Sequence, residues 1–420
     1  MTRRMIRDCR VFDGSGAALF PADVLVEGER IRAVARSRGE LDAAGAEVIE
    51  AGGRTLMPGM VEGHAHITFI DAPRSTDIGD LPPEEHTLHA ARNAKTLLDC
   101  GFTSAYSAAS AKLRIDIVIR NAIEAGQIPG PRFKACGPEI TVTGGLGDVS
   151  RAHMHRDAFA VVADGPDEIR KVARLVCREG ADSIKLNISG DDLTPAAKGP
   201  MTVMSEAEVR AGCEAAKDFR RMVNAHCRAS ESVKRAVRNG VDVIYHCEHA
   251  DTEALDLLEA ARDRVFVGPA IGLLNAVVHE NSDPHNPGRF LVQQALEAAQ
   301  RTYPEMRRRG IRVVIGGDYG FARTPHGDYA KDVGHFVRLL GYSPAEALVC
   351  ATRVGAELMG MGHESGQVRE GFLADLLLVD GDPLADVGLL ADRTRLVGIW
   401  KGGMAHKLDR AALAVRRAAA

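Results

Sequence analysis

No uninterrupted apolar stretch in this sequence approaches the length needed to span a bilayer, so no membrane partner is expected. The basic excess that marks a nucleic-acid surface is missing too. Lysine and arginine total 53 against 57 aspartates and glutamates, a formal net charge of −4, so nucleic acid is not an expected partner. The opening Met1-Thr-Arg-Arg-Met-Ile-Arg7 is basic but lacks an apolar h-region behind it. Neither a secretory nor a twin-arginine signal is expected. The eight cysteines are scattered, with no CxxC pair. That usage fits reduced thiols in a cytoplasm rather than a disulfide frame. There is no short-period repeat and no low-complexity linker. What is present is the apolar and charged content of a globular protein, 45% and 26%, over 420 residues. That length exceeds one ordinary domain, although α/β barrels routinely run to roughly 200–250 residues as a single unit.

The chain is organised around Met57-Pro-Gly-Met-Val-Glu-Gly-His-Ala-His-Ile-Thr68. Pro58-Gly59 punctuates the chain, and an apolar run of strand type follows. Side chains on a strand alternate faces, so His64 and His66 project two imidazoles toward one point. That geometry suits a divalent metal.

Before this stretch the chain reads as short strands and tight turns. Residues 22–34 alternate apolar and polar around a Glu-Gly turn, a hairpin signature. From residue 59 to about 362 strands and helices alternate. Expected strands cover 59–67, 103–107, 132–136, 183–188, 222–225, 242–245, 265–269 and 312–315. Expected helices include 87–98, 113–125, 166–178, 206–219, 230–238, 252–261 and 290–309, each with apolar residues at i, i+3 and i+4. Eight strands alternating with helices predict an α/β fold of the (β/α)8, or TIM, barrel type. A doubly wound open sheet is the competitor. After the barrel, residues 368–383 and 394–404 return to β texture. The reading is a composite β-sandwich of residues 1–57 and 366–407 from both chain ends, beside a barrel of residues 58–365. Residues 408–420 read as an Ala/Arg-rich helix or frayed tail.

Four further candidates end expected strands: Lys185, His226, His246 and Asp318. In a barrel these lie on strands four, five, six and eight, all opening on the C-terminal rim. A lysine inside an apolar strand is notable because burying an unpaired ammonium is costly. Its neutral amine could react with carbon dioxide to give a carbamate, an anionic bridge between two cations. Six residues of ligand type on one rim point to a metal centre. Zinc, manganese and cobalt all suit such donors. The ligand tally also favours closure of the barrel over an open sheet.

The Pro-Gly-Met-Val-Glu-Gly-His-Ala-His opening, with Lys185, His226, His246 and Asp318 in that order, resembles the amidohydrolase superfamily. Thr143-Gly-Gly, Ser183-Ile-Lys and Val241-Asp-Val-Ile-Tyr-His are most similar to its imidazolonepropionase-like and Xaa-Pro dipeptidase-like members. The flanking Gly-Phe-Leu-Ala-Asp-Leu-Leu-Leu-Val-Asp-Gly-Asp-Pro resembles that superfamily's composite sandwich. The resemblance implies two divalent ions, usually zinc. His64 and His66 would hold the buried ion with Asp318, His226 and His246 the exposed one, and carboxylated Lys185 would bridge them. It implies a hydroxide shared by the ions as nucleophile, with Asp318 as proton shuttle to the leaving nitrogen. The expected activity is hydrolysis of a C–N bond in a small amide. A Xaa-Pro dipeptidase is the runner-up, then a cyclic-amide hydrolase or deaminase. A homo-oligomer is also implied. Deaminases of this scaffold usually lack the strand-four lysine, which argues against that branch.

Two positions depart from the dipeptidase-like pattern. Arg228 stands where those relatives carry tyrosine, and Leu146 follows Gly144-Gly145 where they often carry histidine. Arg228 could donate to a developing oxyanion or clamp a substrate carboxylate. Its expected roles are therefore catalytic and substrate-binding. His153 and His155 in the long loop 141–164, and Tyr319 and His326 after Asp318, are the other substrate-contact candidates. Tyr245 should face away from the metals by alternation and serve packing. His249 lies beyond its strand end and could reach the pocket or face solvent, whereas His279 and His285 read mainly as solvent-facing.

Overall fold

The computed structural model describes residues 2–192, 194, 196–280 and 287–418. In chain order the strands begin with β1 (Arg3–Val11), β2 (Phe20–Glu27), β3 (Arg30–Ala35), β4 (Glu47–Glu50) and β5 (Thr55–Pro58). Then come β6 (Met60–Ala65), β7 (Phe102–Ser107), β8 (Arg132–Lys134), β9 (Cys136–Thr141) and β10 (Ala160–Val162). Next are β11 (Ser183–Asn187), β12 (Met222–Cys227), β13 (Val243–His246), β14 (Phe266–Gly268) and β15 (Arg312–Val313). The last are β16 (Leu376–Val379), β17 (Leu396–Lys401), β18 (Met404–Leu408) and β19 (Ala414–Arg417). The chain divides into two compact units.

One unit gathers Met1–Glu62, Lys95–Ala105 and Tyr329–Ala420. Its nine-stranded sheet runs β18-β17-β16-β5-β1-β2-β3, with β4 joining β1 to β19. Both chain ends share this sheet because β16 lies antiparallel to β5, with Leu377 opposite Met57. The sheet forks at β1, which carries β4 along its first half and β5 at its end. Ile6, Val24, Leu56, Leu376, Leu378 and Trp400 fill its core. The final segment is not a helix: Ala414–Arg417 pairs antiparallel with β4. Pairing of Ala-Val-Arg-Arg satisfies the edge of β4, which outweighs the helix propensity of alanine and arginine.

The other unit gathers Gly63–Ala94 and Tyr106–Asp328. A parallel sheet runs β10-β9-β11-β12-β13-β14-β15. It closes on itself through the chain's central stretch. The Gly63 amide donates to the Ile315 carbonyl at 2.9 Å, and the Ala108 amide to the Ala65 carbonyl at 2.9 Å. The Ser110 amide donates to the Gly137 carbonyl, also at 2.9 Å. This closure fits a (β/α)8 barrel. Gly63 is what permits it, since a Cβ there would sit 2.8 Å from the Ile315 carbonyl oxygen.

Between strands lie Gly165–Glu179, Glu206–Asp218, Ser230–Asn239 and Thr252–Ala260, matching the expected helices to within about a turn. The third begins without a side-chain cap, but the second has a capping box of Ser205 and Glu208. Their inward faces bury Ile169, Ala173, Val209, Ala216, Val233 and Val237. The expected loop 141–164 contains one surprise, the strand β10, which pairs Ala160 with Glu139. Strand three also runs past its expected end. Ser183 faces Cys136 but Lys185 faces Glu139, so β9 holds one extra residue at Gly137-Pro138. A bulge there absorbs the proline that otherwise reads as a strand stop.

Candidate active site

The rim of the barrel is built from the ends of β6, β9, β11, β12 and β13 and from Asp318 beyond β15. All six ligand-type residues line one cavity, joined by Glu139, Asp191 and Thr194 and roofed by apolar side chains. His64, His66, Lys185, His226 and His246 are all at least 97% buried, and Asp318 nearly so. His66 Nε2 lies 3.2 Å from Asp318 Oδ1, and His64 Nε2 lies 3.9 Å from the same oxygen. The ligating atoms of His64, His246 and Asp318 fall within 4.8 Å of one another. The His226 and His246 rings are 4.2 Å apart.

Hydrogen bonding assigns the tautomers. His66 Nδ1 is 3.1 Å from the Ala109 carbonyl, which can only accept, so Nδ1–H donates and Nε2 is turned toward Asp318. By the same argument His226 donates from Nε2 to the Gly190 carbonyl at 3.0 Å, leaving Nδ1 basic. His246 Nδ1 is buried without a hydrogen-bond partner. Burial holds His64 and His246 well below the ordinary imidazole range. Burial, reinforced by the Arg228 and Lys185 charges, pushes His226 down to about 3. Burial would raise Asp318, but the neighbouring His64 and His66 hold it well below the usual carboxylate range. Neutral imidazoles beside an ionised carboxylate are the protonation states in which these donors bind a cation. The donor set and the orphaned His246 nitrogen fit a divalent metal.

Backbone conformation explains how the rim is shaped. His246, Cys247 and Asp318 adopt left-handed φ values of 78°, 58° and 61°. Such strain costs of order 1–3 kcal/mol each, and it gathers where a structure serves function rather than stability. Turning left at His246 breaks strand alternation. Tyr245 therefore does not face away. Its ring stacks on His64 with centroids 3.9 Å apart, and its hydroxyl donates to the Gly63 carbonyl at 2.8 Å. The Lys185 amine lies 4.5 Å from the Tyr245 ring centroid. Tyr245 is thus packing, but packing placed directly beneath two candidate ligands.

The remaining candidates are placed differently. Arg228 is 2% exposed and does not line the cavity. Its Nε donates to Asp191 Oδ2 at 2.7 Å, and its Nη1 to Glu248. His153 and His155 stand exposed on their loop, outside the cavity lining. Tyr319 is buried, its ring covering Gly317, whose Cβ would meet it at 2.4 Å. His326 Nε2 donates to the Phe69 carbonyl at 2.6 Å, so it anchors the loop after β6 instead of lining the cavity. That loop matters, because Phe69 stacks on His66 with centroids 4.1 Å apart and planes within 6°. His285 lies outside the described residues, and His279 falls in a short helical turn, Ala276–Glu280.

Three lining features were not anticipated from sequence. Glu139 accepts from Asn187 Nδ2 at 2.6 Å, and burial raises its carboxyl above the usual range. Asp191 comes from the loop after β11. The roof of Phe69, Leu146, Phe159, Leu273 and Phe321 is assembled from separate loops. An extension of β9 through its Gly-Pro bulge would have brought Glu139 level with Lys185.

A closed (β/α)8 barrel with imidazoles, an amine and a carboxylate converging on its C-terminal rim is the layout of a barrel hydrolase. The sequence model of the Amidohydrolase family matches residues 55–405, and the chain belongs to that family. It is an enzyme of the class that acts on amide-type C–N bonds. Ochratoxinase of Aspergillus niger is 25% identical to it over 372 residues, 84% of this chain and 75% of that protein. Imidazolonepropionase of Anaeromyxobacter dehalogenans is 26% identical over 448 residues, covering 95% of this chain and 94% of that protein. A solved Xaa-Pro dipeptidase with bound methionine in its active site matches with a TM-score of 0.85 at 25% identity. That match covers 97% of this chain and all of the other.

Proposed function

We propose that this protein hydrolyses the amide-type C–N bond of a small molecule with the help of two divalent ions, zinc in the first instance and manganese or cobalt as alternatives. His64, His66 and Asp318 would hold one ion and His226 and His246 the other, with Lys185 carboxylated between them. Such ions supply hydroxide at neutral pH and polarise a carbonyl oxygen. The chain's own residues do the rest. Asp318, ionised and 3.2 Å from His66 Nε2, takes a proton and returns it to the leaving nitrogen. Phe69 and Tyr245 hold the His66 and His64 rings in plane, and the apolar roof excludes water. The observation that carries this reading is the convergence of neutral imidazoles and an ionised carboxylate in one buried cavity. We also read residues 1–57 and 366–407, which supply most of the forked nine-stranded sheet, as a composite sandwich and residues 58–365 as a catalytic barrel. A cytoplasmic homo-oligomer acting on small amides completes the proposal. Among the described residues no helix is long and apolar enough to cross a membrane.

A Xaa-Pro dipeptidase is the second reading, favoured by the solved dipeptidase that matches almost the whole chain. The test is metal content per chain together with hydrolysis of N-acyl amino acids, Xaa-Pro dipeptides, anilides and phenylureas. Asp318→Asn should lower kcat by roughly 10²- to 10⁴-fold. It should leave the fold intact, because asparagine tolerates the left-handed φ of 61°. Unchanged turnover in that variant would refute the shuttle. A protein that retains no metal and gains no activity on adding zinc or manganese would refute the function.

A further inference from the structure

Leave aside Lys185 and Asp318, which the proposed metal centre uses. The charged groups then left in the cavity lining are the carboxyls of Glu139 and Asp191. Among the described residues no guanidinium lines the cavity. Arg228, the cation expected to clamp a substrate carboxylate, is already spent on carboxylates of the protein. Its Nε is 2.7 Å from Asp191 Oδ2, its Nη1 donates to Glu248, and its side chain is 2% exposed. One guanidinium between two carboxylates leaves that buried cluster with a net negative charge. Asp191 Oδ2 carries this charge to within 3.8 Å of His226 Nε2, at the wall of the cavity.

Above these groups the walls are apolar. Phe69 meets Phe159 and Phe321 edge to face, with centroids 5.7 and 5.3 Å away and planes at 67° and 70°. The three rings pack on one another and together line the cavity, giving it an apolar aromatic wall.

We infer that the substrate is an amide carrying an arene and no carboxylate next to the scissile bond, a neutral or cationic aryl or arylalkyl amide rather than an N-acyl amino acid or a dipeptide acid. Beyond the proposed ions, an anionic group there meets the carboxyls of Glu139 and Asp191 and, among the described residues, no guanidinium, while an uncharged ring meets the phenylalanine wall. Arg228 is then a positioning residue, not a substrate contact. The inference rests on the amide-hydrolysis reading and narrows its substrate.

The test uses N-acetylphenethylamine and N-acetylphenylalanine, which share one amide and differ only by the carboxylate. With the metal-loaded enzyme kcat/KM should favour the uncharged amide by roughly tenfold or more, since juxtaposed like charges cost several kcal/mol. N-Acetylethylamine, lacking the ring, should fall well below both. Asp191→Asn should narrow the charge preference several-fold, because it removes one of the opposing carboxylates. Calorimetric titration of both ring compounds into the parent protein and into Asp318→Asn reads the same preference without turnover. Tighter binding or faster cleavage of N-acetylphenylalanine overturns the inference. Absence of turnover with either compound counts against amide hydrolysis, and the titration then still decides the charge preference.

Discussion

Replacing Arg228 by methionine separates a structural cation from a substrate clamp. In the parent the guanidinium is buried and bonded to Asp191 and Glu248, both of them buried. Methionine keeps much of the apolar stem but leaves two carboxylates facing each other with no cation between them. Removing one partner of a buried pair costs about 3–5 kcal/mol, because the remaining charge is neither solvated nor compensated. Here two charges are orphaned, so the upper part of that range is expected. Urea unfolding should show it as a lowered midpoint at unchanged slope. The assay should follow far-UV circular dichroism, because the single tryptophan, Trp400, belongs to the sheet unit and not to the barrel. Adding Glu248→Gln should recover part of the loss, with a coupling of about 0.5–3 kcal/mol. A loss below about 1 kcal/mol, combined with a raised KM for carboxylate-bearing amides alone, would refute the argument. It would restore Arg228 to the role its position first suggests.

Other parts of the rim make separate predictions. Tyr245→Phe keeps the ring on His64 but strands the Gly63 carbonyl, so it should cost about 1–2 kcal/mol in urea unfolding. An unchanged midpoint would show that the hydroxyl contact is not formed in solution. Asp116 is buried beneath the rim, where it accepts from Ser107 and from the Cys136 amide, and burial raises its carboxyl to about 7. A carboxyl raised in the fold contributes stability that is fully present below about pH 4 and is lost as pH rises through 7. Asp116→Asn should therefore gain on the parent between those limits, by up to roughly 4 kcal/mol, and a pH-independent difference would sink the assignment. Dialysis against a chelator should abolish activity and lower the thermal midpoint, and zinc, manganese or cobalt should restore both. Ions held at a thousandfold excess over Kd stabilise by about 4 kcal/mol, so a midpoint indifferent to chelation would argue against a metal centre.

Most of the barrel was readable in the chain because its periods are local. Apolar spacing of 2 and 3.6 marks the strands and helices without knowledge of what they pack against. The pair at His64 and His66 follows from the same rule, since residues two apart on a strand share a face. The rule fails where the backbone leaves the regular strand. Gly137-Pro138 reads as a stop but is accommodated as a bulge, which puts Glu139 opposite Lys185. At Ala414–Arg417 the pairing edge of β4 decides, and that edge lies more than 360 residues away in sequence.

His246 is the clearest case. Alternation from His246 would turn Tyr245 outward, yet His246 has a φ of 78° and lines the cavity while the phenol ring stacks on His64. That conformation is uncommon for any non-glycine residue, histidine included, and it persists because the surrounding structure holds it. The Tyr303 hydroxyl bonds the His246 carbonyl, and the Cys247 amide bonds the Cys227 carbonyl at 2.9 Å. Residue type placed the ligand candidates correctly on the rim, whereas their aim depends on contacts from distant segments. Arg228 carries the same lesson in charge. Its identity suggests a substrate clamp, and only the positions of Asp191 and Glu248 reveal that its hydrogen bonds are already committed within the protein.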